Sequence, residues 1–239
     1  MSQISTNTLI GLGFNFAAYA VGFGVYLYEA KRRGMNRSMT TEVALVGVLV
    51  GVVFATLAQV IYSLIFPGPE AGTFAAGRTI VGGVLGGWVG VEVAKRRLGI
   101  KQSTGPLWAL ALPAGETLGR IGCWFHGCCH GKPSDLPWAV FQHDAMRHPT
   151  QFYLSFAALA TFIILWLLKD KEGLFYWAVL LWCVSRIIIE PLRESSSRTP
   201  WLVPAICAAV GVFCIYKLVF LWRNPKPETN KTAEPAVEN

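Results

Sequence analysis

The sequence predicts an all-α, polytopic membrane protein of seven transmembrane helices. Three observations carry this prediction. Apolar residues make up 53% of the 239 residues and charged residues only 15%, against roughly 25% charged in a soluble domain. Mean hydropathy is +0.44. Basic residues cluster after alternate apolar stretches, which is the positive-inside pattern. Such a chain cannot cover a globule of its size with polar surface. That excludes a disordered chain, a soluble enzyme and a nucleic-acid-binding module with a basic face, although the net charge is +7. Nine Trp and seven Tyr fit a membrane protein, because amphipathic rings collect at its interfaces.

A helix needs about 20 mainly apolar residues to cross about 30 Å of hydrocarbon. Seven stretches read as spans, over 8–29, 42–66, 79–94, 106–125, 151–168, 173–191 and 201–222. The first lacks a basic leader and is long enough to span, so it is expected to act as its own targeting signal. The third is short, but it carries Gly82, Gly83, Gly86 and Gly87. Small residues four apart let helix backbones approach closely. They could also form a slot for acyl chains or a headgroup. Residues 1–223 read as one transmembrane domain. Residues 224–239 are polar, hold three prolines and lack periodicity, so a disordered cytoplasmic tail is expected.

Orientation follows from charge. Lys31, Arg32, Arg33 and Arg37 follow span one; Lys95, Arg96, Arg97 and Lys101 follow span three. Lys169 and Lys171 follow span five, and Arg223, Lys226 and Lys231 follow span seven. The N-terminus is therefore expected outside and the C-terminus inside.

Charges inside the spans are the exception. Each costs about 2.5 kcal/mol or more on insertion scales, and such residues face a bundle interior and mark function. Span four carries Glu116 and Arg120, four apart and on one helical face. Span six carries Arg186 and Glu190, with Arg193 expected one turn further on the same face. A structural ion pair between helices is the plain reading. Three arginines against two carboxylates leave a positive surplus, however, and the planar guanidinium fork suits phosphate. By the orientation above, Arg120 and Arg186 lie in the outer half of their spans. No ATP is available outside a bacterial inner membrane. The phosphate-bearing molecule at hand there is a phospholipid, which could supply both the anion and the free energy.

The segment from Cys123 to Gly131 holds Cys123, Cys128 and Cys129 with His126 and His130. Zinc sites favour a Cys-x2-Cys turn, which this spacing lacks. No metal and no cofactor is assigned. A disulfide or redox-active thiol, a metal site, and packing with reactive potential all stay open. Cys183, Cys207 and Cys214 are isolated within spans and read as small apolar residues. His143 reads as a solvated loop residue. His148 precedes Pro149 at a span entrance, where it could cap the helix or act chemically.

These residues resemble the prolipoprotein diacylglyceryl transferase family, over roughly residues 10–195. The family's signature opens Gly-Arg-x-Gly and closes on Gly, matched here by Gly119, Arg120, Gly122 and Gly131. It departs at Cys123, Trp124, His126 and Cys128, where the family has Asn, Phe, Asn and Glu. His148-Pro149-Thr150-Gln151-Phe152-Tyr153 matches a His-Pro-Ser-Gln-Leu-Tyr segment, whose final Glu is Leu154 here. Arg186 to Arg193 matches the family's last catalytic span, with Arg186, Glu190 and Arg193 kept. Val81 stands where the family carries a functional His before the Gly-Gly, and Asn15 or Tyr19 falls nearest to an N-terminal Tyr. The chain thus resembles a divergent Gly-Cys-Cys branch.

The resemblance implies transfer of a diacylglyceryl group from phosphatidylglycerol to the lipobox cysteine of a prolipoprotein, with release of glycerol phosphate. It implies a multi-pass bacterial inner membrane protein with its site toward the outer face. Phosphatidylglycerol and the lipobox prolipoprotein, or another thiol acceptor, are the expected partners; nucleic acid is not. Arg120, Arg186, Glu190 and His148 are the expected catalytic residues. Arg120 and Arg186 would stabilise the leaving phosphate, Glu190 would orient Arg186 or act as base, and His148 would take the thiol proton. Arg193, Gly82, Gly83, Gly119, Gly122, Gln151 and Tyr153 are expected to bind lipid. Cys123, Cys128 and Cys129 are possible thiol or redox groups. Two other classes compete: an enzyme of the same fold with another acceptor, in which one of these thiols could carry the lipid, and a non-catalytic phospholipid-binding protein.

Overall fold

The computed structural model describes residues 6–65, 80–194 and 201–224. They form seven α-helices: α1 (Thr6–Arg32), α2 (Arg37–Ile65), α3 (Ile80–Arg97), α4 (Gly105–Phe125), α5 (Thr150–Leu167), α6 (Leu174–Ile189) and α7 (Leu202–Arg223). Each falls on one of the stretches read from hydropathy. The expected bounds at 66 and 79 lie outside the described residues, as does the expected disordered tail beyond Asn224. Five helices are long and apolar enough to cross a membrane: α1, α2, α5, α6 with the short turn that follows it, and α7. α3 carries Glu92, Lys95, Arg96 and Arg97 in its 18 residues, and α4 carries Glu116 and Arg120. Those charges lower their apolar character.

Two departures from the expected all-helical chain lie near α6 and between α4 and α5. β1 (Val140–Gln142) pairs antiparallel with β2 (Ala145–Arg147). His143 and Asp144 form its two-residue turn, with φ of 50° and 59°. A tight hairpin needs left-handed backbone at both positions, and His and Asp tolerate it better than most residues. A three-residue strand is too short to show as alternation, so the sequence pattern misses it. The second departure is the end of α6. The helix stops at Ile189, Glu190–Leu192 forms a 3-10 turn, and Arg193 is extended with φ −77° and ψ 142°. Pro191 has no N–H to continue an α-helix. Arg193 is therefore not one helical turn beyond Glu190, as expected, although the two still touch.

The chain divides into two compact units, one of residues 1–25 and 108–239, the other of residues 26–107. In the second unit α2 packs on α3 through glycine. A Cβ at Gly51 would stand 3.0 Å from the Gly83 carbonyl oxygen, and one at Gly90 only 2.8 Å from the Val50 Cβ. α1 and α3 end alike: Gly34 and Gly99 both adopt φ +66°. The Met35 N–H then donates to Ala30 O at 2.9 Å and the Ile100 N–H to Lys95 O at 2.9 Å. This satisfies orphan carbonyls at each helix end, and the adjacent Lys and Arg suit the negative end of the dipole. Glu29 is fully buried in this unit between Arg32 at 2.6 Å and Arg33 at 2.7 Å.

In the first unit α4 lies close to α1. A Cβ on Gly115 would come within 2.9 Å of the Ala18 carbonyl, and one on Gly22 within 3.2 Å of the Ala111 carbonyl. Ala109, Leu110, Leu165 and Leu174 form a buried cluster packed by Val25, Phe162 and Trp166. Cys183, Cys207 and Cys214 are buried in α6 and α7, as small apolar residues are.

Candidate functional site

All of the site described below lies in the first unit. The last turn of α4 leads into the loop 126–139, the hairpin, and the start of α5. Gly127 takes φ +66° and Cys129 takes φ 60°, so left-handed backbone occurs twice within three residues. Fully buried side chains at the start of α5 hold it there. The Thr150 hydroxyl donates to Cys129 O at 2.7 Å, and the Gln151 amide donates to Cys128 O at 2.9 Å and to Gln142 Oε1 at 3.0 Å. Beyond the loop, Gly131 pairs with Arg193 in an isolated antiparallel bridge. The Lys132 N–H donates to Leu192 O at 2.8 Å and the Glu194 N–H to His130 O at 3.1 Å. This pairing sets Arg193 against the thiol loop. Gly131 has to be glycine, since a Cβ there would overlap the His148 backbone and stand 2.6 Å from its Cβ.

Glu116, Arg120, Arg186, Glu190 and Arg193 form one chain of contacts. Arg120 donates to Glu116 Oε1 through Nε at 3.0 Å and Nη2 at 2.6 Å. Arg186 Nη2 stands 3.8 Å from the same oxygen, and its Nη1 donates to Glu190 at 3.1 Å. Arg193 donates to the other Glu190 oxygen at 2.5 Å. Three guanidiniums and two carboxylates leave one positive charge uncompensated within the network. Arg186 is only 4% exposed, and its guanidinium lies 5.1 Å from the Trp182 ring centroid. The buried Nε atoms of Arg186 and Arg193 find no hydrogen-bond partner among the described residues. A buried N–H of a cation left unbonded is costly, and an anion would repay it. Glu116 thus links α4 to α6.

Cys123, Cys128 and Cys129 are free thiols whose sulfurs all lie within 4.8 Å of one another. Cys128 is exposed, and the other two are half-buried. Hydrogen bonds with Cys123 and then Cys128 hold the Cys129 thiol far below its ordinary range, with Arg193 and Arg120 adding to the effect against burial. Bonding to Cys123 and Cys129, followed by burial, pushes Cys128 well above it. Cys129 is thus the thiol that ionises first.

The histidines divide. His148 does not cap α5, because the cap position is Pro149 and no side chain bonds there. Its buried Nδ1 finds no hydrogen-bond partner among the described residues, and its ring meets the edge of Tyr153 at 6.3 Å. His126 Nδ1 contacts Gly122 O at 2.8 Å, and the ring packs over Gly11, whose Cβ would lie 2.7 Å from that nitrogen. His143, exposed as expected, also contacts Gly127 O at 2.6 Å. The His130 ring lies tilted against it, with centroids 4.3 Å apart. Burial first, then the nearby charge of His143 and Arg147, lowers the pKa of His130.

The remaining residues singled out from sequence lie as follows. Gly119 and Gly122 face α1: a Cβ at Gly119 would meet Ala18 at 3.7 Å, and one at Gly122 would meet Asn15 Oδ1 at 2.6 Å. The Tyr153 hydroxyl accepts from the Trp138 indole at 2.7 Å. Tyr19 is 69% exposed. Gly82 and Gly83 belong to the second unit, where a Cβ at Gly83 would stand 3.6 Å from the Ala55 Cβ. Sequence reasoning missed Arg147 and Glu194. These two pair directly, and Arg147 also donates to Gln142 O at 2.9 Å and Gly131 O at 3.2 Å. They stand 47 residues apart, so no local pattern links them.

A helical membrane protein with a buried guanidinium network beside a loop of free thiols has the side chains to hold an anionic group next to sulfur. Comparison with known proteins gives that class a family. The family model "Prolipoprotein diacylglyceryl transferase" matches residues 11–222, and the chain belongs to that family. Among its relatives is a phosphatidylglycerol–prolipoprotein diacylglyceryl transferase of Clostridium tetani, 32% identical over 210 residues, covering 77% of this chain and 83% of that protein. The protein of the same name from Clostridioides difficile is 25% identical over 205 residues, covering 80% of this chain and 82% of the relative. That from Thermotoga maritima is 28% identical over 212 residues, covering 80% and 70%. The family and the apolar helices make this a bacterial membrane protein.

Proposed function

We propose that this chain is a membrane transferase that moves a diacylglyceryl group from phosphatidylglycerol to the lipobox cysteine thiol of a prolipoprotein. The observation that carries this is the network Arg120–Glu116–Arg186–Glu190–Arg193, with its surplus charge and the unbonded Nε atoms of Arg186 and Arg193. The phosphodiester sits on Arg120 and Arg186, with Arg193 on the headgroup. As the carbon–oxygen bond breaks, charge grows on the departing phosphate. Preorganised cations in a dry site stabilise that charge most where it develops. Glu190 orients Arg186 and Arg193. His148, with its unbonded Nδ1, is the base for the acceptor thiol. Gln151 supports the site by holding the thiol loop, and Tyr153 and the glycines shape the lipid's surroundings.

All seven helices cross the inner membrane as one domain over residues 1–223, with the N-terminus outside and the C-terminus inside. The basic ends of α1 and α3 support this orientation. It puts the arginine network toward the outer face, where phosphatidylglycerol and a translocated lipoprotein meet. Reconstitution with phosphatidylglycerol and a lipobox peptide tests the reading. Diacylglyceryl peptide and glycerol phosphate, both lost in Arg120→Ala and Arg186→Ala, are expected. A folded protein that binds phosphatidylglycerol but forms neither product refutes the reading.

A further inference from the structure

A thiophilic divalent ion held by cysteines sets its sulfur ligands about 3.8 Å apart, given a Zn–S bond of about 2.3 Å and tetrahedral angles. Cys123, Cys128 and Cys129 bring three sulfurs within 4.8 Å of one another, close to that spacing before any ion draws them in. Their positions are fixed independently. Cys123 sits in the last turn of α4. The carbonyls of Cys128 and Cys129 are tied to the fully buried Gln151 and Thr150. Cys129 is held in left-handed backbone that a non-glycine residue rarely takes. Exposure of Cys128 leaves a way in for the ion. Three ligands also leave one tetrahedral position open, as in catalytic rather than structural zinc sites.

We propose that Cys123, Cys128 and Cys129 bind a zinc-class divalent ion whose open fourth position takes the acceptor cysteine as its thiolate. The inference rests on the transferase reading and adds how the acceptor is activated. A thiol coordinated to such an ion gives up its proton, here to His148, the base for the acceptor thiol. Its sulfur attacks the glyceryl methylene carbon. The carbon–oxygen bond to phosphorus breaks with its electron pair on oxygen, and glycerol phosphate leaves with the negative charge brought by the thiolate. The thioether product is neutral, a poor ligand, and departs. Arg193 and Arg120 act on Cys129 electrostatically and offset the negative charge of three thiolates around one divalent ion. A covalent relay through one of these cysteines fails on the same chemistry, because the thioether it would form offers no leaving group to a second thiol.

The test uses the purified full-length protein. Metal-free protein is titrated with Co²⁺. One equivalent is expected to bind, with sulfur-to-cobalt charge transfer in the near ultraviolet and visible bands of a tetrahedral site. A lipobox peptide with a free cysteine is expected to shift the visible bands, and its Cys→Ser counterpart to leave them. Removing the metal is expected to slow transfer at pH 7 about 30-fold. That is the ratio of full ionisation to the roughly 3% thiolate of a free cysteine with pKa ~8.5. The deficit should close as pH rises above that value, and zinc should restore the rate. Cys128→Ser should weaken cobalt binding, and if it does not fold the wild-type titration decides. A disulfide within the cluster, no cobalt uptake by three reduced thiols, or visible bands indifferent to the peptide each overturn the proposal. Undiminished transfer by metal-free protein overturns it while leaving the transferase standing. No transfer under any condition, with bands that still answer the peptide thiol, upholds the thiol-capturing site and removes the transferase reading instead.

Discussion

Replacing Arg186 with Met separates a functional arginine network from a structural one. Breaking a buried ion pair costs about 3–5 kcal/mol when it strands the partner's charge. Here neither partner is stranded. Glu116 keeps Arg120 at 2.6 Å, and Glu190 keeps Arg193 at 2.5 Å. Met also replaces much of the buried volume of a side chain that is 4% exposed. The stability cost should therefore fall to about 1.5–3 kcal/mol, that of a lost hydrogen bond to a charged group. Activity should suffer far more. The substitution removes the uncompensated positive charge and a preorganised donor, and loss of one such donor costs about 10²–10³ in turnover, or ~2.7–4 kcal/mol. The assay pairs thermal unfolding in detergent with glycerol phosphate release from phosphatidylglycerol. Arg186→Lys should retain most of the stability but recover only part of the rate, because an ammonium cannot reproduce the guanidinium fork. Turnover within threefold of wild type in a folded Arg186→Met protein would refute the reasoning and leave the network a structural clamp.

Other expectations follow from individual contacts. In metal-free protein at pH 7, Cys129 should react with iodoacetamide well before Cys128, because its thiol is held low and that of Cys128 is raised; peptide mapping by mass spectrometry reads the order. Since the Cys129 pKa is depressed, its labelling should stay flat on lowering the pH from about 8.5, the ordinary cysteine value, while labelling of Cys128 remains suppressed. Gly131→Ala should cost about 1–3 kcal/mol or prevent folding, because its Cβ would press on the His148 backbone; thermal unfolding measures this. Gly83→Ala should be tolerated, whereas Gly90→Ala should destabilise the α2–α3 pair, since their Cβ atoms would meet neighbours at 3.6 Å and 2.8 Å respectively. Gln151→Ala should free the Cys128 carbonyl and raise hydrogen exchange across residues 128–131, with α6 unaffected.

The helices were legible because an apolar stretch of span length has few alternatives to a helix. Where reading failed, the cause was local. Pro191 turned the end of α6 into a 3-10 turn, and strands of three residues carry no period. Glu116 and Arg120, or Arg186 and Glu190, could be paired on one face from their spacing of four residues. That Glu116 also approaches Arg186 across two helices could not. The cysteine spacing argued against a metal site, and it did not show that the three sulfurs lie within 4.8 Å of one another. Thiol separation is set by the left-handed backbone at Gly127 and Cys129, and by anchors from α5, rather than by the count of intervening residues.

The sequence by itself determined the solvent, the helices and the residues able to carry charge or react. Those follow from transfer free energies and from chemistry that each side chain brings with it. Only the tertiary structure decided which of them meet. Arg193 faces the thiol loop because residues 130–132 pair with 192–194, and Arg147 reaches Glu194 across 47 positions of chain. Coulombic and coordination energies depend on separations of a few ångströms, and for residues so far apart in sequence, packing alone sets the distance.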